Sequence, residues 1–250
     1  MGCPVHTWCF QGAYTGAMAD AGHPKLSVWN TYRLFYGQFR THFLATGAIA
    51  PSGGALAAEM TAPLAKARGL RSLRVLEVGA GTGVFTRAIL RHLGAGDSLD
   101  ICEINPAFQP VLEARLQQAR VEERGIACTI HFGDICTWEP RPEFDFIISG
   151  LPLNNFSPDL VARILSLLGG LLLPGGVLSY FEYLYVRRVK AAFVRNETER
   201  ARLRAVGSVV DCFLHNHTSR AVPVALNFPP AMARHVWARR ARIDKAAPVH

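Results

Sequence analysis

The sequence predicts an α/β fold in which a mostly parallel sheet is covered by helices on both faces. Three observations predict it. Short apolar runs alternate with longer segments of helical periodicity, which is the pattern of strand–helix–strand units. A glycine-rich turn joins the first apolar run to a helical segment. Two further strand-like runs near the C-terminus have the spacing of an antiparallel hairpin.

The composition excludes several classes of protein. The chain has 250 residues, of which 50% are hydrophobic and 18% are charged, so it is neither disordered nor fibrous. No apolar stretch reaches the roughly 18 residues of a membrane span. The net charge of +8 suits an anionic partner, either nucleic acid or an anionic membrane surface. The six cysteines form no C-x-x-C pair, which favours buried thiols in a reducing cytoplasm.

One main domain is predicted between two extensions. The predicted divisions are 1–46, an arm with an amphipathic helix; 47–232, the domain; and 233–250, a basic tail. Aromatic and aliphatic side chains fill the helix over 26–45, with Arg33 and Arg40 among them. Such a helix can lie in a membrane interface while its arginines reach lipid phosphates. A helix packed on the domain explains the same pattern equally well.

The elements of the domain follow from hydrophobic periodicity. The first half is predicted as helix 53–67, strand 73–78, a helix from the glycine-rich turn to about 93, strand 99–103 and helix 106–120. The second half is predicted as strand 128–132, strand 144–149, helix 159–168, strand 176–183 and a basic helix over 186–204. Strand-like runs over 208–214 and 222–228, joined by a polar turn, complete the domain as an antiparallel hairpin.

A candidate ligand site lies at the carboxyl ends of the predicted strands, where open α/β folds bind ligands. The glycines of Glu77-Val78-Gly79-Ala80-Gly81-Thr82-Gly83 allow a tight turn and a close approach of ligand to backbone. Glu103 ends the next strand, where a carboxylate can accept hydrogen bonds from ribose hydroxyls. Asp134 closes the third strand, where a carboxylate can accept from an adenine amino group.

The spacing of the turn disfavours a dinucleotide. Val84 occupies the third small position of the G-x-G-x-x-G pattern, and Gly83 comes one residue early. Glu77 also disfavours a dinucleotide, because a carboxylate attracts an ammonium group and repels a phosphate. The turn therefore predicts a ligand without phosphates.

These residues resemble the Rossmann-like methyltransferases that use S-adenosylmethionine, over about residues 47–228. The resemblance implies a Rossmann-like seven-stranded methyltransferase sheet and S-adenosyl-L-methionine as cofactor, with no metal. It also implies that the glycines line the methionine and ribose part, Glu103 holds the ribose and Asp134 holds the adenine. The implied cofactor-binding residues are Pro51, Ser52, Glu77, Gly79, Gly81, Thr82, Gly83, Glu103, Ile104, Gly133, Asp134, Ile135, Ser149 and Gly150.

The loop after the fourth strand resembles the N-P-P-Y loop of methyltransferases that act on base or amide nitrogens. In those enzymes an Asn or Asp side chain and a backbone carbonyl grip a planar amino group. Here Gly150 stands in place of that side chain and Leu153 in place of the stacking aromatic residue. Both departures disfavour a nucleobase amine. Asn154 and Asn155 can substitute, or they can be turn-forming residues with local hydrogen bonds.

Three segments resemble bacterial phospholipid N-methyltransferases, which convert phosphatidylethanolamine toward phosphatidylcholine. They are Gly47-Ala48-Ile49-Ala50-Pro51-Ser52, Ser149-Gly150-Leu151-Pro152-Leu153 and Leu226-Asn227-Phe228-Pro229-Pro230-Ala231. The implied protein is cytoplasmic and peripheral at the inner membrane face of a bacterium. Its implied substrate-binding residues are Leu151, Pro152, Asn154, Arg33 and Arg40. The alternatives are an ornithine-lipid N-methyltransferase, an N-methyltransferase of ribosomal RNA or another nucleic acid, and a membrane-bound protein that holds the cofactor without catalysis.

The chemistry of amine methylation indicates candidate catalytic residues. An alkylammonium must lose a proton before it attacks, and a quaternary product can be held by aromatic faces. Tyr183 is the first candidate, Tyr180 the second, and Glu182 a candidate proton acceptor. The alternation of a strand separates Tyr183 from Tyr180 and Glu182, so the three share one pocket only if the strand ends there.

Overall fold

The structure is a computed structural model. It describes residues 52–138, 143–183, 197–227 and 230–239. Several predicted features lie outside these residues: the N-terminal helix with Arg33 and Arg40, Pro51, residues 184–196, and the end of the basic tail. The side chain of Ser52 is also outside the description.

The described chain alternates strands and helices. The helices are α1 (Ser52–Met60), α2 (Ala62–Ala67), α3 (Val84–Leu90), α4 (Gln109–Gln118), α5 (Pro158–Gly170) and α6 (Glu197–His215). The strands are β1 (Arg74–Val78), β2 (Ser98–Glu103), β3 (Ala127–Phe132), β4 (Phe144–Ser149), β5 (Leu172–Tyr183), β6 (Thr218–Val224) and β7 (Ala231–Trp237). Short 3-10 turns, Pro106–Phe108 and Leu153–Asn155, precede α4 and α5.

The seven strands form one sheet in the order β3-β2-β1-β4-β5-β7-β6. Strands β1 to β5 pair in parallel, whereas β7 runs antiparallel to both β5 and β6. Every residue of the central strand β4 is buried, as expected for a parallel strand covered on both faces. The predicted α/β fold, with its parallel sheet and antiparallel hairpin, is confirmed.

Two hydrophobic clusters cover the two faces of the sheet. The first includes α1, α3 and α4, and the second includes α5 and α6. Helix α5 shows why such a segment folds: Ser157 caps its N-terminus by accepting from the Leu160 N–H, and Val161, Ile164 and Leu168 are buried on one side. These layers hold the strand ends in place.

The predicted helix over 53–67 is two helices. They meet at Thr61, whose hydroxyl donates to the Ala57 carbonyl 2.8 Å away. Pro63 lies at the start of α2, where its missing N–H is tolerated. Pro63 has no N–H to donate to the carbonyl four residues earlier, which accounts for the break.

The structure contains the predicted antiparallel hairpin, but the predicted bounds of its two strands were wrong. Residues 208–214 belong to α6, and the two antiparallel strands are β6 and β7. The β-branched and aromatic residues of 208–214 favoured a strand, yet Leu203, Val206 and Val210 are buried at helical spacing. These buried residues pack against α5, and this tertiary packing favours a helix over a strand. Strand β7 continues to Trp237, so the predicted domain boundary at residue 232 falls inside it.

Candidate active site

One cavity at the carboxyl ends of β1 to β4 gathers many of the predicted cofactor residues. It is lined by Val78, Gly79, Cys102, Ile104, Gly133, Asp134, Ile135, Leu151 and Ile164. A larger groove lies between the end of α4 and β3, but it contains none of the predicted site residues. The smaller cavity at the strand ends is therefore the candidate active site.

The glycine-rich turn has a conformation that only glycine adopts readily. Gly79, Gly81 and Gly83 have φ angles of 74°, 54° and 76°, in the left-handed region. A Cβ atom at Gly81 would meet nothing within 4 Å. The turn thus leaves open space beside its backbone, where a ligand can approach closely.

Glu103 ties the end of β2 to this turn. Its side chain is fully buried, Oε2 accepts from the Gly81 N–H at 2.8 Å, and Oε1 accepts from the Asn105 N–H at 2.9 Å. An ionised carboxylate has about four acceptor positions. The two backbone bonds fix this carboxylate at the carboxyl end of β2, beside the glycine-rich turn.

Asp134 organises the turn after β3. Its Oδ1 accepts from the Cys136 N–H at 2.9 Å, and its carbonyl accepts from the N–H groups of Thr137 and Trp138. The Trp138 ring stacks against His131, with 4.3 Å between ring centroids. No motif in the sequence marks this ring contact, which holds the turn beside the cavity.

Glu77 carries an acceptor atom with no hydrogen-bond partner among the described residues. The side chain is fully buried, and its Oε2 accepts from the Thr86 hydroxyl at 2.7 Å, while Oε1 has no partner. Burial raises the pKa of Glu77 to about 8, and the nearby Glu103 adds to the rise. A cationic ligand group would stabilise its charged form.

The loop after β4 packs directly on the glycine-rich turn. The Gly150 N–H donates to the Val78 carbonyl at 2.8 Å. A Cβ atom on Gly150 would lie 2.5 Å from the Gly79 carbonyl oxygen. No side chain fits at this position while the two loops stay in contact. Leu153 is buried in the core, so neither position of the N-P-P-Y pattern offers a group to a planar amine.

The three predicted catalytic residues do not lie on one face of the sheet and do not share a pocket. Tyr180 is fully buried in the cluster that includes α5 and α6. Glu182 lies on that same face of the strand and pairs with Arg234, Oε1 to Nε 2.9 Å. Tyr183 packs on the opposite face, as strand alternation predicts.

Tyr183 belongs to an aromatic row that the predictions did not include. Its ring meets that of Phe181 edge-on, with 5.2 Å between centroids, and Phe181 lies 5.9 Å from Phe85 of α3. Phe85 Cε2 lies 3.4 Å from the Cβ position of Gly150. The aromatic row, Phe85–Phe181–Tyr183, thus runs from the loop after β4 toward the end of β5. Alternation along β5 was a signal for Phe181, whereas no motif marks Phe85.

The remaining predicted residues border these features. Thr82 is exposed in the glycine-rich turn, and the Ser149 hydroxyl accepts from the Leu151 N–H at 3.4 Å. Pro152 and Asn154 are half-buried in the loop after β4. In the described part of the chain, no group of three or more His, Cys, Asp or Glu side chains is placed to hold a metal ion.

Comparison with known proteins identifies a methyltransferase domain. Residues 75–176, from β1 into β5, match a family model described as a methyltransferase domain. This match, together with the fold, supports an S-adenosylmethionine-dependent methyltransferase. This methyltransferase is 29% identical over 151 residues to an ornithine lipid N-methyltransferase of Singulisphaera acidiphila, covering 57% of this chain and 73% of that protein.

Two solved structures share the fold of the methyltransferase. The N1-methyltransferase of 1,6-didemethyltoxoflavin from Burkholderia thailandensis, solved with S-adenosylhomocysteine, is 13% identical with a TM-score of 0.58. That similarity covers 89% of this chain and 93% of the other. The O-methyltransferase TomG from Streptomyces achromogenes, solved with its cofactor, is 16% identical with a TM-score of 0.57, covering 84% and 89%.

The residues present fit the cofactor, S-adenosylmethionine. The open side of Gly81 leaves room for it, and Glu103 and Asp134 offer carboxylates at the ends of β2 and β3. The buried carboxyl of Glu77, next to the glycine-rich turn, would attract a nearby ammonium group when ionised. When bound, the cofactor supplies an electrophilic methyl group. The protein's own part is to hold the acceptor in line and to exclude water.

Proposed function

We propose that this methyltransferase methylates the amino headgroup of a membrane lipid. Phosphatidylethanolamine, converted toward phosphatidylcholine, is the first candidate substrate. The contact between Gly150 and the Gly79 carbonyl carries the proposal, because it leaves no room for the side chain that grips a planar amine. A flexible alkyl amine needs no such clamp. Ornithine lipid is the second candidate, supported by the similarity to the Singulisphaera acidiphila protein.

The aromatic row supplies the environment that an alkylated amine requires. A methylated ammonium has few protons or none to donate, and aromatic faces attract it by about 0.5–2 kcal/mol each. Phe85, Phe181 and Tyr183 form such faces beside the loop after β4. Burial raises the pKa of Tyr183, so its hydroxyl stays neutral and does not act as the proton acceptor. We assign Tyr183 to substrate binding on this basis.

Exposed apolar side chains at the carboxyl edge of the sheet support a lipid substrate. Val84 begins α3, Phe132 ends β3, and Leu226 lies in the turn between β6 and β7; their exposures are 36%, 37% and 82%. These are three of the four large hydrophobic residues exposed in the described part of the chain. All three lie near the edge that holds the cavity.

Membrane attachment is proposed to be peripheral, at the cytoplasmic inner face of a bacterial membrane. Arg33 and Arg40, which lie outside the described residues, are proposed to contact anionic phospholipid, where each basic residue contributes about 1 kcal/mol. The net charge of +8 supports that contact. None of the described helices combines the length and apolarity needed to cross a bilayer.

Labelling in cells tests which lipid is methylated. Cells expressing the protein and fed labelled methionine are expected to show new label in methylated derivatives of phosphatidylethanolamine when their lipids are separated by headgroup. Label confined to ornithine lipid would select the second candidate. Cells without the protein provide the baseline. Lipid labelling that matches this baseline in every headgroup class would contradict the proposed function.

Substitution of Tyr183 tests the aromatic row. Tyr183→Ala is expected to reduce lipid methylation by about tenfold, because one cation–π contact of up to about 2 kcal/mol is lost. Tyr183→Phe is expected to reduce it less, since the ring face is kept. Cofactor affinity, measured by calorimetry, should be the same in both variants. Equal losses in the two variants would show that the hydroxyl, and not the ring, acts on the substrate.

A further inference from the structure

Arg202 of α6 makes contacts that join this helix to the loop after β4. Its Nη1 donates to the Phe156 carbonyl at 2.7 Å, and its Nη2 donates to the Asn154 carbonyl at 3.0 Å. A guanidinium group can hold two carbonyls at once because its donors lie in a rigid, planar fork. The two bonds span the 3-10 turn at Leu153–Asn155.

Glu199 orients the guanidinium from within the same helix. Its carboxylate accepts from Arg202 Nε at 2.8 Å and from Nη2 at 2.6 Å. The side chains of Arg202 and Glu199 are only 25% and 33% exposed. A bidentate pair of this kind, shielded from solvent, fixes one rotamer of the arginine.

The other end of the same loop rests on the glycine-rich turn. The Gly150 N–H is bonded to the Val78 carbonyl, and Leu151 Cδ2 lies 2.9 Å from the Cβ position of Gly79. The loop is therefore held between the cofactor turn at one end and α6 at the other. Its 3-10 turn is closed by local bonds, with the Asn155 N–H donating to the Pro152 carbonyl at 2.9 Å.

We propose that Arg202 is a positioning residue for methyl transfer, fixing the loop 150–156 against the cofactor turn. Because the loop sets the distance between acceptor and cofactor, releasing one end misplaces the acceptor. A misplacement of about 1 Å can lower the rate by about 100-fold. The inference rests on the proposed function only for the choice of lipid as acceptor.

Arg204 provides a matched control. It lies on the same helix and pairs with Glu197, but both side chains are largely exposed, at 70% and 74%. Arg202→Ala and Arg204→Ala each remove one arginine and one ion pair within the helix. Only Arg202 donates to the loop after β4 among the described contacts. Arg202→Lys keeps the charge and loses the planar fork.

Hydrogen exchange and kinetics on the full chain test the proposal together. In Arg202→Ala the amides of Asn155 and Phe156 are expected to exchange at least about tenfold faster, reporting local opening of the turn. The kcat for phosphatidylethanolamine in vesicles should fall at least about tenfold, with cofactor Kd within about twofold of wild type. Arg202→Lys should restore part of the kcat, and Arg204→Ala should match wild type.

Unchanged exchange at Asn155 and Phe156 in Arg202→Ala would overturn the proposal, and so would equal kcat values in Arg202→Ala and Arg204→Ala. A parallel loss of cofactor affinity and of thermal stability would also overturn it, since that result indicates a purely structural role. Failure of the wild type to methylate any lipid would count against the proposed function instead. The exchange measurement still decides the role of Arg202 in that case.

Discussion

Glu77→Gln is expected to stabilise the cofactor-free protein at alkaline pH while weakening cofactor binding. The folded protein raises the pKa of Glu77 from 4.5 to about 8. Between these values the folded carboxyl keeps a proton that the unfolded chain has lost, so the free energy of unfolding falls as pH rises through this range. Above about pH 8 the folded protein must bury a charge.

The glutamine side chain of Glu77→Gln has the same shape as the carboxyl but does not titrate, so this pH dependence of stability is lost. At about pH 9 the variant should be more stable than wild type by on the order of 5 kcal/mol, since the pKa rises from 4.5 to about 8 and each pKa unit corresponds to about 1.4 kcal/mol. Near pH 4.5, the unperturbed value, the two should be nearly equal. Urea unfolding at both pH values measures the difference. Glu122→Gln, which removes an exposed carboxylate, should leave the pH dependence as in wild type.

Cofactor binding should be stronger in wild type than in Glu77→Gln, although the variant is the more stable protein at high pH. If Glu77 pairs with the ammonium group of the cofactor, binding at about pH 6.5 makes the carboxyl release close to one proton. Calorimetry in buffers of different ionisation enthalpy counts that proton. Glu77→Gln should release none and bind at least about tenfold more weakly. Proton release by the variant equal to wild type would contradict the assignment of Glu77.

Gly150→Ala is expected to abolish most of the activity. The new methyl group would lie 2.5 Å from the Gly79 carbonyl oxygen, so backbone on one side or the other must move. Overpacking of this kind costs about 1–3 kcal/mol in stability. The larger effect falls on catalysis, because a shift of about 1 Å between the two loops can lower the rate about 100-fold.

Gly170→Ala is the matched control. This glycine ends α5, and a Cβ atom on it would meet nothing within 4 Å. Methyl transfer and cofactor affinity should both be close to wild type in Gly170→Ala. Wild-type kcat in Gly150→Ala would show that the contact between the loops does not set the reaction geometry.

The geometry of the glycine-rich turn and of the strand ends could be predicted from sequence because local rules decide it. The glycines of the turn need φ angles that other residues adopt rarely, and their spacing is visible in the sequence. Glu103 and Asp134 each follow an apolar strand, so their place at the carboxyl edge follows from the strand alone. Glu77 was predicted near the site, but its burial and shifted pKa depend on the contact with α3.

The proposed acceptor side could not be predicted in the same way, because distant segments of the chain form it. Phe85 meets Phe181 across the gap between α3 and β5. Arg202 reaches carbonyls more than 40 residues away in sequence, with separations of 46 and 48. Residues 208–214 have the composition of a strand and the burial pattern of a helix. Contacts between residues this far apart in the chain leave no local motif in the sequence.

Label transfer by the purified protein tests whether its methyl acceptor is a lipid. The protein is incubated with labelled S-adenosylmethionine and two acceptors: vesicles containing phosphatidylethanolamine, and total RNA stripped of lipid. We expect label in the lipid and none in the RNA, because Gly150 and Leu153 leave a base amine without its hydrogen-bond partner and its stacking ring. Label in RNA and in no lipid would contradict this expectation.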